Sequence, residues 1–163
     1  MRILTLWEPW ATLMALGAKR IETRSWSTRY RGPLAIHAAR GGLKLWELHG
    51  LVSKQPFRGA LASDASNSDF ESVDFHPGCI VAVAVLVECA PVEKCHRLGD
   101  LACNWKWKEE QAFGNYEPGR FAWITGNLFR LPHPIPHKGG QGLGILPAEV
   151  VAQVKAQGWT LAP

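Results

Sequence analysis

No stretch of this sequence approaches the roughly 18–20 uninterrupted apolar residues that a membrane-spanning helix requires. The longest apolar run, Cys79 to Val87, has the length of one buried strand. The four cysteines, Cys79, Cys89, Cys95 and Cys103, are irregularly spaced and form no CxxC pair. That argues against a disulfide framework and for reduced thiols, hence a cytoplasmic location. Cys89, Cys95, His96 and Cys103 match no standard zinc spacing, and the prolines around His133 and His137 prevent a helix from presenting those two together. Neither a metal nor a cofactor is therefore expected. GxSxG, a strand-borne GxGxxG and GxxxxGK[ST] are all missing, which removes the common hydrolase, dinucleotide and phosphate-loop signatures. There is no internal repeat and no second composition regime, so residues 1–163 read as a single domain.

What is present is an ordinary globular composition, 47% hydrophobic and 20% charged, with eight tryptophans. The net charge of +4 is unevenly placed. Residues 1–60 carry ten Lys or Arg against three acids, whereas the remainder carries eight against eleven. A basic first third points to an anionic partner, of which nucleic acid, RNA or DNA, is the commonest, or else to a solvated face without one. Arg2 and the apolar residues after it faintly imitate a signal peptide, and Ala15 to Ala18 a cleavage site. Glu8 and Pro9 interrupt that pattern, so the chain reads as mature and not membrane-bound.

The pattern predicts a strand over 1–6 and a two-turn helix over 9–16, with Pro9 at its first position and Gly17 as its stop. Lys19 to Trp26 alternates like an exposed strand or turn. Leu34–Ala38 reads as a buried strand, and Leu43, Trp46, Leu48 and Leu51 have the spacing of a helix face. Residues 53–78, with the polar run Ser63–Asp69, read as a mobile loop. Cys79–Cys89 is the clearest strand. Residues 97–113 are helical in part, and 119–130 forms a strand or hairpin turning near Gly126-Asn127. Residues 132–136 are extended, 139–144 flexible, and Ile145-Leu146 a last short strand. A closing helix starts at Pro147 and ends at Gly158. Several short strands with few helices indicate an α+β domain or small barrel.

The densest cluster of chemistry is Gly17 to Trp26. In an extended chain Lys19 and Thr23 share one face, with Arg20, Glu22 and Arg24 on the other. A turn would instead bring Lys19 to Glu22, giving either a base or phosphate clamp, or a simple surface ion pair. Trp7 and Trp10 flank Pro9, and Trp26 and Tyr30 lie among Arg24, Arg29 and Arg31. These aromatics are either core and lid residues or platforms on which bases stack, with the arginines on phosphates.

In series, Leu6-Trp7-Glu8-Pro9-Trp10, Gly17-x-Lys19-x-x-Glu22-x-Arg24 with Trp26, and Arg31-Gly32-Pro33-Leu34-x-Ile36-His37-Ala38 resemble the ASCH domain family of the PUA-like superfamily. The later pieces, Gly78-Cys79-Ile80-Val81, Phe113-Gly114-x-Tyr116-x-x-Gly119-Arg120-x-Ala122-Trp123 and Gly139-x-Gln141-Gly142-Leu143, continue the resemblance in order. It implies a small β-barrel with flanking helices and a cleft lined by the GxKxxExR segment, holding nucleic acid or a nucleotide-like ligand. Trp7, Trp10, Arg24, Trp26, Arg29, Tyr30, Arg31 and Arg120 would bind it. The resemblance also implies three activities: an RNA-binding or coactivator module, a metal-independent ribonuclease, or an N4-acetylcytidine amidohydrolase. In the hydrolases Lys19, Glu22 and Glu110 would be catalytic. The amidohydrolases carry Thr where this chain has Glu22, and Gly144 stands where the family has Trp. A protein-interaction module facing an acidic partner is a further alternative.

Overall fold

The computed structural model describes residues 1–62, 73–95 and 107–160. The described residues form six strands: β1 (Arg2–Leu6), β2 (Ile21–Arg24), β3 (Gly32–Ala38), β4 (Cys79–Pro91), β5 (Phe121–Pro136) and β6 (Leu143–Ile145). They form one mixed, curled sheet, a half-barrel, in the order β2-β5-β4-β3-β1-β6. β1 and β3 run parallel, while the other neighbours are antiparallel. Among the described residues, five α-helices flank it: α1 (Trp10–Ala15), α2 (Leu45–Val52), α3 (Phe57–Ala62), α4 (Trp107–Ala112) and α5 (Ala148–Ala156).

Both faces of the sheet are covered, which is why its central strands read as nearly unbroken apolar runs. Successive side chains alternate between faces. Leu4, Leu6, Leu34, Ile36 and Trp123 pack with Ala11 and Met14 of α1 on one side. Ile3, Ala35, Ile80 and Val83 pack with Val150 and Val154 of α5 on the other. Leu13, Val52, Phe57, Leu61 and Phe113 join α1, α2, α3 and the end of α4 into a smaller core. None of the described helices is long and apolar enough to cross a membrane.

The expected elements at both ends form where they were placed. Pro9 precedes α1, and Gly17 turns the chain at φ +72° behind it. Pro147 precedes α5, and Gly158 ends it at φ +98°.

Four expectations are corrected. Residues 53–78 are not one loop, because Phe57–Ala62 is a helix whose Phe57 and Leu61 are buried against Phe113 and Leu13. Residues 63–72, with the whole polar run Ser63–Asp69, lie outside the described residues. Of the two readings of 119–130 the strand holds and the hairpin does not, because β5 runs unbroken to Pro136. Asn127 takes φ +47°, and Val83 and Val85 of β4 pair with Phe129 and Gly126, so β5 has one residue too many and bulges. Continuous pairing with β4 overrides the local turn signal. The helix after Gly42 starts at Leu45 and turns Trp46 outward, at 70% exposure. The last strand is Leu143–Ile145 rather than Ile145-Leu146, because Leu143 and Gly144 pair with Leu4 and Ile3. His96, Cys103 and the first part of 97–113 lie outside the described residues. The remaining cysteines, Cys79, Cys89 and Cys95, are free thiols.

Candidate nucleic-acid interface

The turn at Gly17 sends the chain back under α1, where Lys19 N–H donates to Leu13 O at 3.0 Å. The Lys19 side chain then enters the interior, and the residue is 1% exposed. Its ammonium donates to Phe113 O at 3.0 Å and to Ile21 O. It also lies 3.4 Å from Glu22 Oε2 and 3.9 Å from Glu110 Oε1. Glu110, on α4, is fully enclosed. Its carboxylate accepts the Arg20 and Ile21 amides at 2.8 and 3.1 Å and the Tyr116 hydroxyl at 3.4 Å. A buried charge is tolerated only when paired and fully hydrogen-bonded, and this cluster meets both conditions. Burial first, and then the Glu110 charge, hold the Tyr116 phenol well above its ordinary range. Burial also pushes the Cys95 thiol up to about 11.

The network continues outward along β2. Glu22 Oε1 lies 3.2 Å from Arg24 Nε, and Arg24 Nη2 donates to Thr5 O on β1 at 2.9 Å. Lys19, Glu22, Arg24 and Glu110 thus lie together, with Lys19 turned toward Glu22 rather than on the opposite face. The ammonium of Lys19 is held by two carbonyls and flanked by two carboxylates, so it ties β2 to the end of α4.

The other sequence-derived residues are dispersed. Arg120 donates to Asn115 O at 3.1 Å and Thr23 O at 3.0 Å, which ties β5 to β2. Arg31 pairs with Glu88 and donates to Thr28 O and Tyr30 O at 3.0 and 2.8 Å. The Cys89 amide and then Arg31 hold the Glu88 carboxyl below its usual range. Tyr30 donates its hydroxyl to Pro33 O at 2.6 Å, with the Arg2 guanidinium 5.7 Å from its ring centre. Trp26 meets buried Trp123 edge-on at 4.6 Å. Trp10 is half-buried, Arg29 is exposed, and Trp7 is 55% exposed.

Sequence reasoning missed an open cavity of about 560 Å³ at the end of β1 and β3, lined by Thr5, His37, Arg40, His137, Lys138 and Gly139–Gln141. His37 is buried, with its Nε2 at 3.0 Å from His137 O. A carbonyl only accepts, so Nε2 carries the proton and Nδ1 is left as an acceptor that no described group bonds. Burial lowers the His37 pKa, which keeps the ring neutral. Gly139 passes so close that a Cβ there would sit 2.5 Å from His37 Cε1 and 2.9 Å from Thr5 Oγ1. The Gly140 amide donates to Thr5 Oγ1 at 3.2 Å. Thr5 therefore joins the cavity to Arg24 and the buried cluster behind it. The available signals were His37 and Gly139-x-Gln141-Gly142 within the family pieces. Nothing local in the sequence shows that positions 37 and 137 meet.

A curled mixed sheet with helices on both faces makes this an α+β half-barrel domain, with the lysine–carboxylate cluster beside β2. Within that class the chain belongs to the ASCH domain family, whose profile matches residues 4–126. The fold is similar to the crystal structure of ASCH from Zymomonas mobilis, with TM-score 0.52 and 14% identity over 95% of this chain and 93% of that one. A tyrosine-to-phenylalanine mutant of the same Zymomonas mobilis protein gives TM-score 0.51, also at 14% identity, over 95% and 96%. Activating signal cointegrator 1 of Homo sapiens and that of Mus musculus are each 33% identical over 86 residues, 53% of this chain. The matched stretch covers 14% of the length of those curated relatives. The ASCH family is associated with RNA binding.

Proposed function

We propose that this ASCH domain binds RNA, or a nucleotide within it, in the cavity between β1, β3 and the 137–141 segment. The observation that carries this reading is the cavity itself, large enough for a nucleotide and walled by Arg40, Lys138, two histidines and glycine backbone. Arg40 and Lys138 supply charge for phosphate. The neutral His37 ring and the Thr5 hydroxyl supply polar contacts without adding charge. Trp7 extends the aromatic surface beside it. The cluster of Lys19, Glu22, Arg24 and Glu110 holds the wall, with Glu22 and Arg24 as its partly exposed members.

The test is a salt titration of binding to a labelled single-stranded RNA and its DNA counterpart in EDTA. Phosphate contacts release counterions, so affinity should fall steeply with salt. Arg40→Ala and Lys138→Ala should each weaken binding and flatten that slope. Absence of binding to either strand at low salt would overturn the reading, and saturable binding of an acidic protein alone would favour an interaction module.

A further inference from the structure

Beside the cavity, the structure exposes aromatic surface that the fold does not use. Trp7 is 55% exposed, and Leu45 and Trp46 are each 70% exposed. Trp46 has the spacing of a core-facing residue, yet α2 buries Val52 and leaves Trp46 in solvent. Trp7 is held at the head of this segment by Gly42, where a Cβ would lie 3.1 Å from its Cγ. Gly42 also takes φ +152° there, a conformation L side chains rarely adopt. Trp46 is four positions after Gly42, so their Cα atoms are at most about 14 Å apart. Arg40, two residues before Gly42, lines the cavity.

We infer that a single-stranded nucleic acid leaves the cavity past Arg40 and crosses Trp7 and Trp46, so the ligand is a polynucleotide of several units rather than a free mononucleotide. Two observations choose this occupant over an apolar protein surface. Trp7 lies against Gly42, two residues from the cavity-lining Arg40 and four from Trp46. The surroundings of the patch are also basic: Arg40, Lys44, Lys54 and Arg58 are exposed, and Glu47 is the only acid between residues 40 and 58. The Glu47 carboxylate is engaged at 2.7 Å by the Lys44 amide at the start of α2. Exposed indole rings beside lysine and arginine suit stacked bases with phosphates alongside. This inference rests on the cavity reading above.

The test compares adenosine 5′-monophosphate with oligo(A) and oligo(U) RNA of three, six and nine nucleotides, and with DNA of the same lengths. Wild-type protein, Trp46→Ala and Trp7→Phe would be titrated, with sedimentation at the same concentrations. Affinity should rise with length up to about six nucleotides, and Trp46→Ala should remove about 5- to 100-fold of that gain while leaving monophosphate binding unchanged. Trp46 is exposed, so the variant folds; Trp7→Phe keeps a stacking ring and should lose less. Monophosphate binding with no gain on lengthening would overturn this inference and leave the cavity reading standing. No binding by any probe would overturn both. A dimer that Trp46→Ala converts to monomer would make the patch a contact between copies and overturn the inference as well.

Discussion

Lys19 and Glu110 meet with both side chains wholly enclosed, Nζ 3.9 Å from Oε1, although they stand on separate elements. The carboxylate also receives the two amides that begin β2. Removing it leaves a buried ammonium and two buried amides short of an acceptor. Glu110→Ala should therefore cost about 3–5 kcal/mol, the range for breaking a buried pair. Urea unfolding would measure this as a lower midpoint at unchanged slope. A loss below about 1 kcal/mol would mean that water or a neighbour replaces the carboxylate.

Glu8 provides a pH test. Burial, its largest influence, raises its pKa above 4.5, while the Thr12 amide at 3.1 Å pulls the other way and Oε1 is left unbonded. The folded state thus holds the Glu8 proton more tightly than the unfolded state. Its contribution to stability is full below about pH 4.5 and is lost as pH rises through the folded value. His37 acts in the opposite sense, because its lowered pKa makes acid below 6.5 destabilising. Only a difference against Glu8→Gln isolates the carboxyl. That variant should gain on wild type as pH rises from about 4 to about 7 in urea titrations. A difference that stays flat with pH would remove the effect assigned to Glu8.

Gly139→Ala places a Cβ against His37, which is 2% exposed and has little room to move. Overpacking of this kind costs about 1–3 kcal/mol. The strain falls on the cavity wall, so RNA affinity should drop along with the melting temperature. Gly140→Ala is the control, because a Cβ there meets nothing within 4 Å. Equal behaviour of the two variants in thermal melts would contradict the packing described.

The engagement of Lys19 bears on hydrolysis. A lysine acts as a base through a free amine lone pair, whereas this ammonium is held by two carbonyls and two carboxylates. RNA incubated for hours with the protein in EDTA should be recovered intact on a denaturing gel. RNA-only cleavage that disappears in Lys19→Ala would restore a catalytic role to this lysine.

Local signals were sufficient where an element depends on its own residues. Pro9 and Gly17 bracket α1, Pro147 and Gly158 bracket α5, and the Val-rich run from Cys79 forms β4. The ordered family pieces implied a small barrel, which the curled sheet matches as a half-barrel, and the charge count located the basic first third. Propensity, capping and order along the chain carry that information without reference to distant residues.

Tertiary structure decided what depends on partners far away in the chain. Pairing along the length of β4 turned Gly126-Asn127 from a hairpin signal into a bulge. Contact with Phe113 and Leu13 made a helix of residues expected to be loop. Distant carbonyls and carboxylates engaged Arg24, Arg31 and Arg120, which composition alone would leave for phosphates. The cavity is assembled from Thr5, His37, Arg40 and residues 137–141, across a hundred positions of sequence. Hydrogen bonding and packing in a folded chain are satisfied by nearness in space, and nearness between such positions exists only once the sheet has closed.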